Sequence, residues 1–172
     1  MPVLDRDALA GDRVDCLLDD LAMRRVIAVA EVAVLVAEVG HDREIGVSLD
    51  DSRVGPEPIV AELAELINEG RARIIGLIRQ ELLSGIRNAG QFTKLEEILR
   101  SFADEAVETA DYEAAAEISN KCRSKGLAVS VVDMLICAVA ERRGWTVFST
   151  DPDFVRYATV LSLKLHQMRK HE

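Results

Sequence analysis

From about residue 58 onward, short apolar runs alternate with amphipathic helical patterns, and glycines separate several of them. Residues 59–69 place apolar side chains at helical spacing and end at Gly70, a common stop for a helix. Residues 73–78 form an apolar run with two adjacent isoleucines, which predicts a buried strand. Because strands that alternate with helices favour a parallel sheet covered on both faces, we predict an α/β fold.

Further along the chain the same alternation continues. Ser130 is suited to cap a helix that runs to Arg143, since its hydroxyl can accept a hydrogen bond from the first backbone amides, and Gly144 follows as a stop. The other predicted elements are a helix beginning at Gln80, helices over 92–102 and 112–124, strands over 145–148 and 160–165, a turn over 149–151 and a helical turn over 154–157.

Residues 1–55 have a different character. They are rich in Val, Ala, Asp, Arg and Glu and lack clear helix caps and turn residues. Val26–Val36 fits a strand or a helix, and periodicity does not decide between them, whereas Ile45–Leu49 fits a strand. We therefore divide the chain into an atypical N-terminal segment, residues 1–55, and a domain, residues 56–172.

Charge and composition narrow the classes of protein. The net charge is −9, but residues 1–70 hold sixteen acids and six bases, whereas the rest of the chain is close to neutral. Since phosphate binding depends on Lys and Arg, only the second part is compatible with binding nucleic acid. Three scattered cysteines are too few for a disulfide framework, and Cys137 is expected to be a small buried apolar residue. No signal peptide is indicated, and the run Val26–Val39 is too short to span a bilayer, so we predict a cytoplasmic protein with no membrane contact.

Three acids fall at or near the ends of predicted strands. Glu81 follows the strand 73–78, Asp151 follows the strand 145–148, and Asp133 lies in the first turn of the helix that starts after Ser130. Ligands of open α/β sheets bind outside the carboxyl ends of the strands. Carboxylates that converge there would repel one another unless a cation lay between them, and oxygen ligands suit Mg²⁺ or Mn²⁺. Such an ion can serve phosphodiester cleavage.

Each acid taken alone also has a simpler explanation. Glu81 and Asp133 can be acids favoured by the dipole at the start of a helix. Asp151 and Asp153, just before Phe154, can form a turn and a helix cap. Convergence of the three depends on the order of strands in the sheet, which the spacing alone leaves open.

Three stretches of the sequence carry a family resemblance. They are RQELLSGI at residues 79–86, SVVDMLICAVA at 130–140 and FSTDPDFVRYA at 148–158. In order and spacing they resemble the three downstream motifs of the PIN-domain family, and in particular its VapC-type toxin branch. The resemblance extends over about residues 58–166.

The resemblance implies a fold and an activity. The fold would be a three-layer α/β sandwich with a central parallel sheet and helices on both faces. The activity would be that of an endoribonuclease dependent on Mg²⁺ or Mn²⁺, often a homodimer, neutralised by a cognate antitoxin. Glu81, Asp133 and Asp151 match the second, third and fourth acidic positions. Ser130 and Thr150 match hydroxyl positions that orient a carboxylate or a metal-bound water, although helix capping and turn formation explain them equally well.

The first acidic motif of the family, an apolar strand that ends in Asp followed by Thr or Ser, is not found. Asp5 lies 76 residues before Glu81, too far for the family, and Asp50 lies 31 residues before it, which leaves little room for a helix. Val34–Val36 lies at a suitable distance, but Ala37 stands in place of the Asp. Either residues 1–55 are a genuine extension or they result from an altered reading frame, which translating the other frames of the encoding DNA would test.

Two functions are therefore compatible with the sequence. The first is an active metal-dependent endoribonuclease, the toxin of a type II toxin–antitoxin pair. The alternative is a catalytically impaired PIN-like protein that still binds an antitoxin or RNA without cleaving it, because one of the four metal-binding acids is missing. An α/β protein with no catalytic site is a third interpretation, which requires all three acids to be coincidental.

Overall fold

The structure is a computed structural model, and it describes residues 34–36, 56–84, 86–100 and 104–169. Within these ranges the helices are α1 (Pro56–Asn68), α2 (Gly76–Ser84), α3 (Ala89–Leu99), α4 (Thr109–Ser124), α5 (Val131–Arg143) and α6 (Pro152–Ala158). The strands are β1 (Val34–Val36), β2 (Ala72–Ile75), β3 (Asp104–Glu105), β4 (Thr146–Phe148) and β5 (Lys164–Leu165). Helices and strands alternate from α1 onward, so the predicted α/β class is confirmed.

The strands form one sheet in the order β3-β2-β1-β4-β5. β2 pairs with β3 in parallel, and β4 pairs with β5 in parallel. The central strand β1 runs antiparallel to both of its neighbours, with Leu35 opposite Arg73 on one side and Val147 on the other. The expected all-parallel sheet is therefore wrong in its centre: the sheet is mixed. A period-2 or apolar run carries no information on strand direction, which pairing alone decides.

The direction of β1 bears on the missing first acid. Val34 pairs with Phe148 and Val36 pairs with Thr146, so the carboxyl end of β1 lies beside the start of β4. Asp151 follows the opposite end of β4. The segment Val34–Val36 thus forms a strand, but it does not end at the sheet edge where an acid could join Asp151. The other candidates, Asp5 and Asp50, and the predicted strand 45–49 lie outside the described residues.

Most predicted elements are present with shifted ends. The strand predicted over 73–78 ends at Ile75, and the helix predicted from Gln80 begins at Gly76. The helical conformation lets Ile78 enter the core while Leu77, Leu82 and Leu83 pack against it. The strand predicted over 160–165 is reduced to β5, and the short polar strand β3 was not predicted, because only its pairing with Ile74 and Ile75 defines it.

Helix α5 lies at the centre of the main core. All seven residues from Met134 to Ala140 are buried, and Cys137 is fully buried as predicted. A second apolar cluster joins Leu63 and Leu66 of α1 to Ala72 and Phe148. Since neighbouring residues of a strand point to opposite faces, the burial of both Val147 and Phe148 shows that β4 has apolar contacts on both sides.

A buried ion-pair network joins α4, α5 and β3. Asp111 is fully buried and accepts hydrogen bonds from Arg142, from Arg143 and from the backbone amide of Glu108. Arg143 also bonds to Glu105 at 2.7 Å. Burial alone would raise the pKa of the Asp111 carboxyl, but the bonds from Arg143, the Glu108 amide and Arg142 lower it to about 2.

A second buried network ties the C-terminal residues to α1. Glu62 is 1% exposed, and its Oε1 lies 2.8 Å from His166 Nε2 and 2.9 Å from Arg169 Nε. Burial lowers the pKa of His166, so its neutral imidazole donates to the carboxylate. Burial would raise the pKa of Glu62, but His166 and Arg169 bring it below its ordinary value.

Among the helices of the described ranges, none combines the length and the apolar character required to cross a membrane. The cytoplasmic location expected from the sequence stays a prediction.

The depressed pKa of Asp111 predicts how stability depends on pH. A carboxyl whose folded pKa lies below its unfolded value of about 3.9 stabilises the fold above that pH, and the contribution is lost as pH falls towards 2. We expect Asp111→Asn to lower the free energy of unfolding at pH 7 by roughly 2 to 3 kcal/mol. Its unfolding free energy should also change less than that of the wild type between about pH 4 and pH 2.

Urea titrations at several pH values measure both effects. Asp104→Asn is the control, because Asp104 forms an ion pair at the surface with Arg79. Equal losses in the two variants at pH 7 would contradict the role of the buried network.

The carboxylate of Glu62 should also contribute more to stability than its neighbours on the same helix. Glu62→Gln removes the buried charge that faces Arg169, and we expect it to cost about 3 kcal/mol. Glu65→Gln is the matched control, since Glu65 pairs with the same arginine but its side chain is 44% exposed. It should cost less than about 1 kcal/mol. Chemical denaturation at pH 7 measures both, and a similar loss in the two variants would show that the buried pair adds nothing.

Candidate metal centre

Asp133 is held at the start of α5 by local sequence. Ser130 is the N-cap, as predicted, and its Oγ accepts a hydrogen bond from the backbone amide of Asp133 at 3.2 Å. Gly144 ends the helix in the left-handed conformation, which glycine adopts without strain. Tyr157 Oη donates to Oδ2 of Asp133 at 3.1 Å. The bond to Ser130 thus holds the backbone at Asp133, and the bond from Tyr157 of α6 holds its half-buried carboxylate.

Asp151 follows β4 and caps α6. Its Oδ1 accepts a hydrogen bond from the backbone amide of Asp153 at 2.8 Å, and its own amide donates to Ser149 Oγ at 3.1 Å. The explanation of Asp151 as a turn and cap residue is therefore confirmed. It does not exclude metal binding, because a carboxylate offers about four acceptor positions and the cap uses one.

Glu81 lies further into its helix than the sequence indicated. The helix begins at Gly76, so Glu81 is beyond the first turn of α2 and its side chain is exposed. The interaction of an acid with a helix dipole falls off within the first turn. The explanation of Glu81 as an acid placed at a helix start is thus wrong for this structure.

The acids are linked electrostatically in pairs. Partial burial and the negative charge of Asp133 raise the pKa of Glu81. Burial also raises the pKa of Asp133, and the charges of Asp151 and Asp153 raise it further, against hydrogen bonds from Tyr157 and Ser130 that lower it. The pKa of Asp133 therefore depends on the charges of Asp151 and Asp153, and the pKa of Glu81 depends on the charge of Asp133.

Asp153 differs from the other acids of this neighbourhood. It forms an ion pair with Arg156 one turn further along α6, so a cation of the chain itself partly balances its charge. This makes Asp153 a supporting acid rather than the first choice as a metal ligand.

The donor chemistry fits a divalent cation, but the side chains do not yet form a closed ligand set. In the described ranges no three His, Cys, Asp or Glu side chains lie close enough together to hold a metal ion. A carboxylate whose pKa is raised by neighbouring acids, as that of Asp133 is, favours a cation that neutralises the charge, and oxygen donors suit Mg²⁺ or Mn²⁺. Glu81 has an exposed and flexible side chain, which is the part of the set best able to move towards Asp133 and Asp151.

Sequence reasoning missed the part played by Tyr157. Tyr157 is 1% exposed, whereas Tyr112 is 56% exposed. The bond from Tyr157 to Asp133 was not expected, although a buried tyrosine hydroxyl usually finds a partner. The second hydroxyl candidate, Thr150, is exposed, and it is Ser149 that accepts the amide of Asp151.

Comparison with known proteins identifies the family of the chain. The PIN-domain family matches residues 42–160, a range that contains Glu81, Asp133 and Asp151 and also Asp50. A VapC ribonuclease of Mycobacterium bovis and the ribonuclease VapC11 of Mycobacterium tuberculosis are each 34% identical to the chain over 112 residues, which is 63% of this chain and 84% of the relative. A family match over more than half of the sequence, with relatives covered over most of their length, shows that this chain belongs to the PIN-domain family.

Proposed function

We propose that the chain is a metal-dependent endoribonuclease, the toxin component of a type II toxin–antitoxin system. The observation that carries the proposal is the PIN-domain match over residues 42–160, a range that contains Glu81, Asp133 and Asp151. The effects of Asp133 on the pKa of Glu81 and of Asp151 on the pKa of Asp133 support it. The likeness to VapC ribonucleases supports RNA as the substrate and a cognate antitoxin as the partner. A homodimer and a three-layer arrangement with helices on both faces are further parts of the proposal.

Each residue has a distinct task in this proposal. Glu81, Asp133 and Asp151 would hold Mg²⁺ or Mn²⁺, which supplies activation of a water molecule and stabilisation of the charge on the phosphate. Ser130 and Tyr157 hold Asp133 in place. The cap formed by Asp151 fixes its own carboxylate relative to α6.

Two observations are compatible with the second function, a binding protein that does not cleave RNA. The three acids do not form a closed ligand set, and β1 does not end at the edge of the sheet where the site lies. A PIN-like protein that binds an antitoxin or RNA without cleaving it would have this arrangement.

Substitution of the carboxylates tests the proposed site. We expect Glu81→Gln and Asp133→Asn each to lower kcat for cleavage of a structured RNA by at least about 100-fold in Mn²⁺, since each removes a proposed metal ligand. Glu117→Gln is the matched control, because Glu117 is an exposed carboxylate of α4. Single-turnover cleavage assays measure the effect. Activity that stays unchanged in both site variants would refute the assignment of these ligands.

Calorimetric titration with Mn²⁺ separates the two functions. The nuclease should bind Mn²⁺ with a Kd in roughly the micromolar-to-millimolar range, as expected for a carboxylate site. Asp133→Asn should weaken this binding by about 10-fold or more, whereas Glu117→Gln should not change it. If the unaltered protein binds no Mn²⁺ in that range and leaves RNA intact, the chain is a binding protein and not a nuclease.

A further inference from the structure

The hydrogen bond between Tyr157 and Asp133 joins two separate parts of the candidate site. Asp133 belongs to the first turn of α5, and Tyr157 belongs to the last turn of α6. The residues are 24 positions apart in sequence, and their side chains meet at 3.1 Å. The bond is therefore a tertiary contact and not a consequence of local helix geometry.

The hydroxyl of Tyr157 has little freedom to move elsewhere. The residue is 1% exposed, and its ring packs edge-on against Phe154 with 5.8 Å between the ring centres. The phenol hydroxyl carries one proton to donate, and the acceptor that it meets is the carboxylate of Asp133. A fixed donor facing a half-buried carboxylate fixes the orientation of that carboxylate in turn.

Helix α6 carries one proposed ligand at its start and this donor near its end. Asp151 is the N-cap, and Tyr157 lies six residues on, roughly 9 Å along the helix axis. A short rigid helix of this length fixes the separation between its two ends. Through the Tyr157 hydroxyl, α6 therefore sets the position of Asp133 relative to Asp151.

We propose that Tyr157 is a positioning residue for the metal site: its hydroxyl holds Oδ2 of Asp133 and so fixes the spacing between Asp133 and Asp151. The proposal rests on the proposed function, since it assigns these acids to a metal. The remaining acceptor positions of Asp133 stay open to a cation, because one hydrogen bond uses only one of about four. Groups that orient ligands in this way typically contribute 10- to 100-fold to metal affinity or activity.

Tyr157→Phe removes the hydroxyl and keeps the ring in the core. We expect the Kd for Mn²⁺ to rise and kcat to fall, each by about 10-fold or more, with an unchanged KM for RNA. Tyr112→Phe is the matched control, since Tyr112 is exposed on α4, and it should leave all three quantities unchanged. Calorimetry with Mn²⁺ and single-turnover cleavage provide the two readouts.

A purely structural role for Tyr157 predicts a different result. Leu99→Ala removes a buried core side chain of α3 and leaves both Phe154 and Tyr157 unchanged, so it should lower the urea midpoint without changing the Kd for Mn²⁺ by more than about 2-fold. If Tyr157→Phe changes only the urea midpoint and matches Tyr112→Phe in Kd and kcat, the inference is overturned. If the unaltered protein neither binds Mn²⁺ nor cleaves RNA, the proposed nuclease function is refuted, and the role of Tyr157 is refuted with it. The measurement on the wild type alone therefore distinguishes failure of the function from failure of the role of Tyr157.

Discussion

The burial of helix α5 is the constraint on which the rest of the structure depends. Its residues from Met134 to Ala140 are buried, so the helix is apolar around its whole circumference and lies at the centre of the core. A helix in that position must present its polar residues at its two ends. Asp133 lies at the first end, in the candidate site, and Arg142 and Arg143 lie at the other end, where they pair with the buried Asp111.

Carboxylates that lie near one another repel each other. Hydrogen bonds and an ion pair reduce this repulsion around Asp133, Asp151 and Asp153. Tyr157 donates a hydrogen bond to the carboxylate of Asp133, and Ser130 accepts one from its backbone amide. The carboxylate of Asp151 accepts a hydrogen bond from the amide of Asp153 at the start of α6. Arg156 forms an ion pair with Asp153. The pKa of Asp133 nevertheless stays raised, first by burial and then by the charges of Asp151 and Asp153. A site that concentrates negative charge in this way has a higher affinity for a divalent cation than a site whose acids are all paired.

The direction of β1 in the mixed sheet is a second obstacle to placing the first acidic motif there, in addition to Ala37 in the position of the Asp. A strand at the right distance from Glu81 is present, in the centre of the sheet, but it runs antiparallel to β2 and β4. Its carboxyl end therefore lies away from Asp151. Strand formation and strand direction are separate properties: the first follows from an apolar run, and the second follows from the pairing of the whole sheet.

The sequence by itself determined the class of fold and most helices, because apolar periodicity, caps such as Ser130 and stops such as Gly144 act over a few residues. It also indicated Glu81, Asp133 and Asp151 as candidate ligands, which remain a proposal. Some helix ends differ from the predicted ones because core packing overrode local signals. The helix predicted from Gln80 begins at Gly76, so Glu81 lies beyond its first turn. Only the tertiary structure decided the direction of β1, the electrostatic coupling of Glu81 to Asp133 and the bond from Tyr157 to Asp133. These features join residues far apart in sequence, and no local pattern encodes which distant partner a side chain meets.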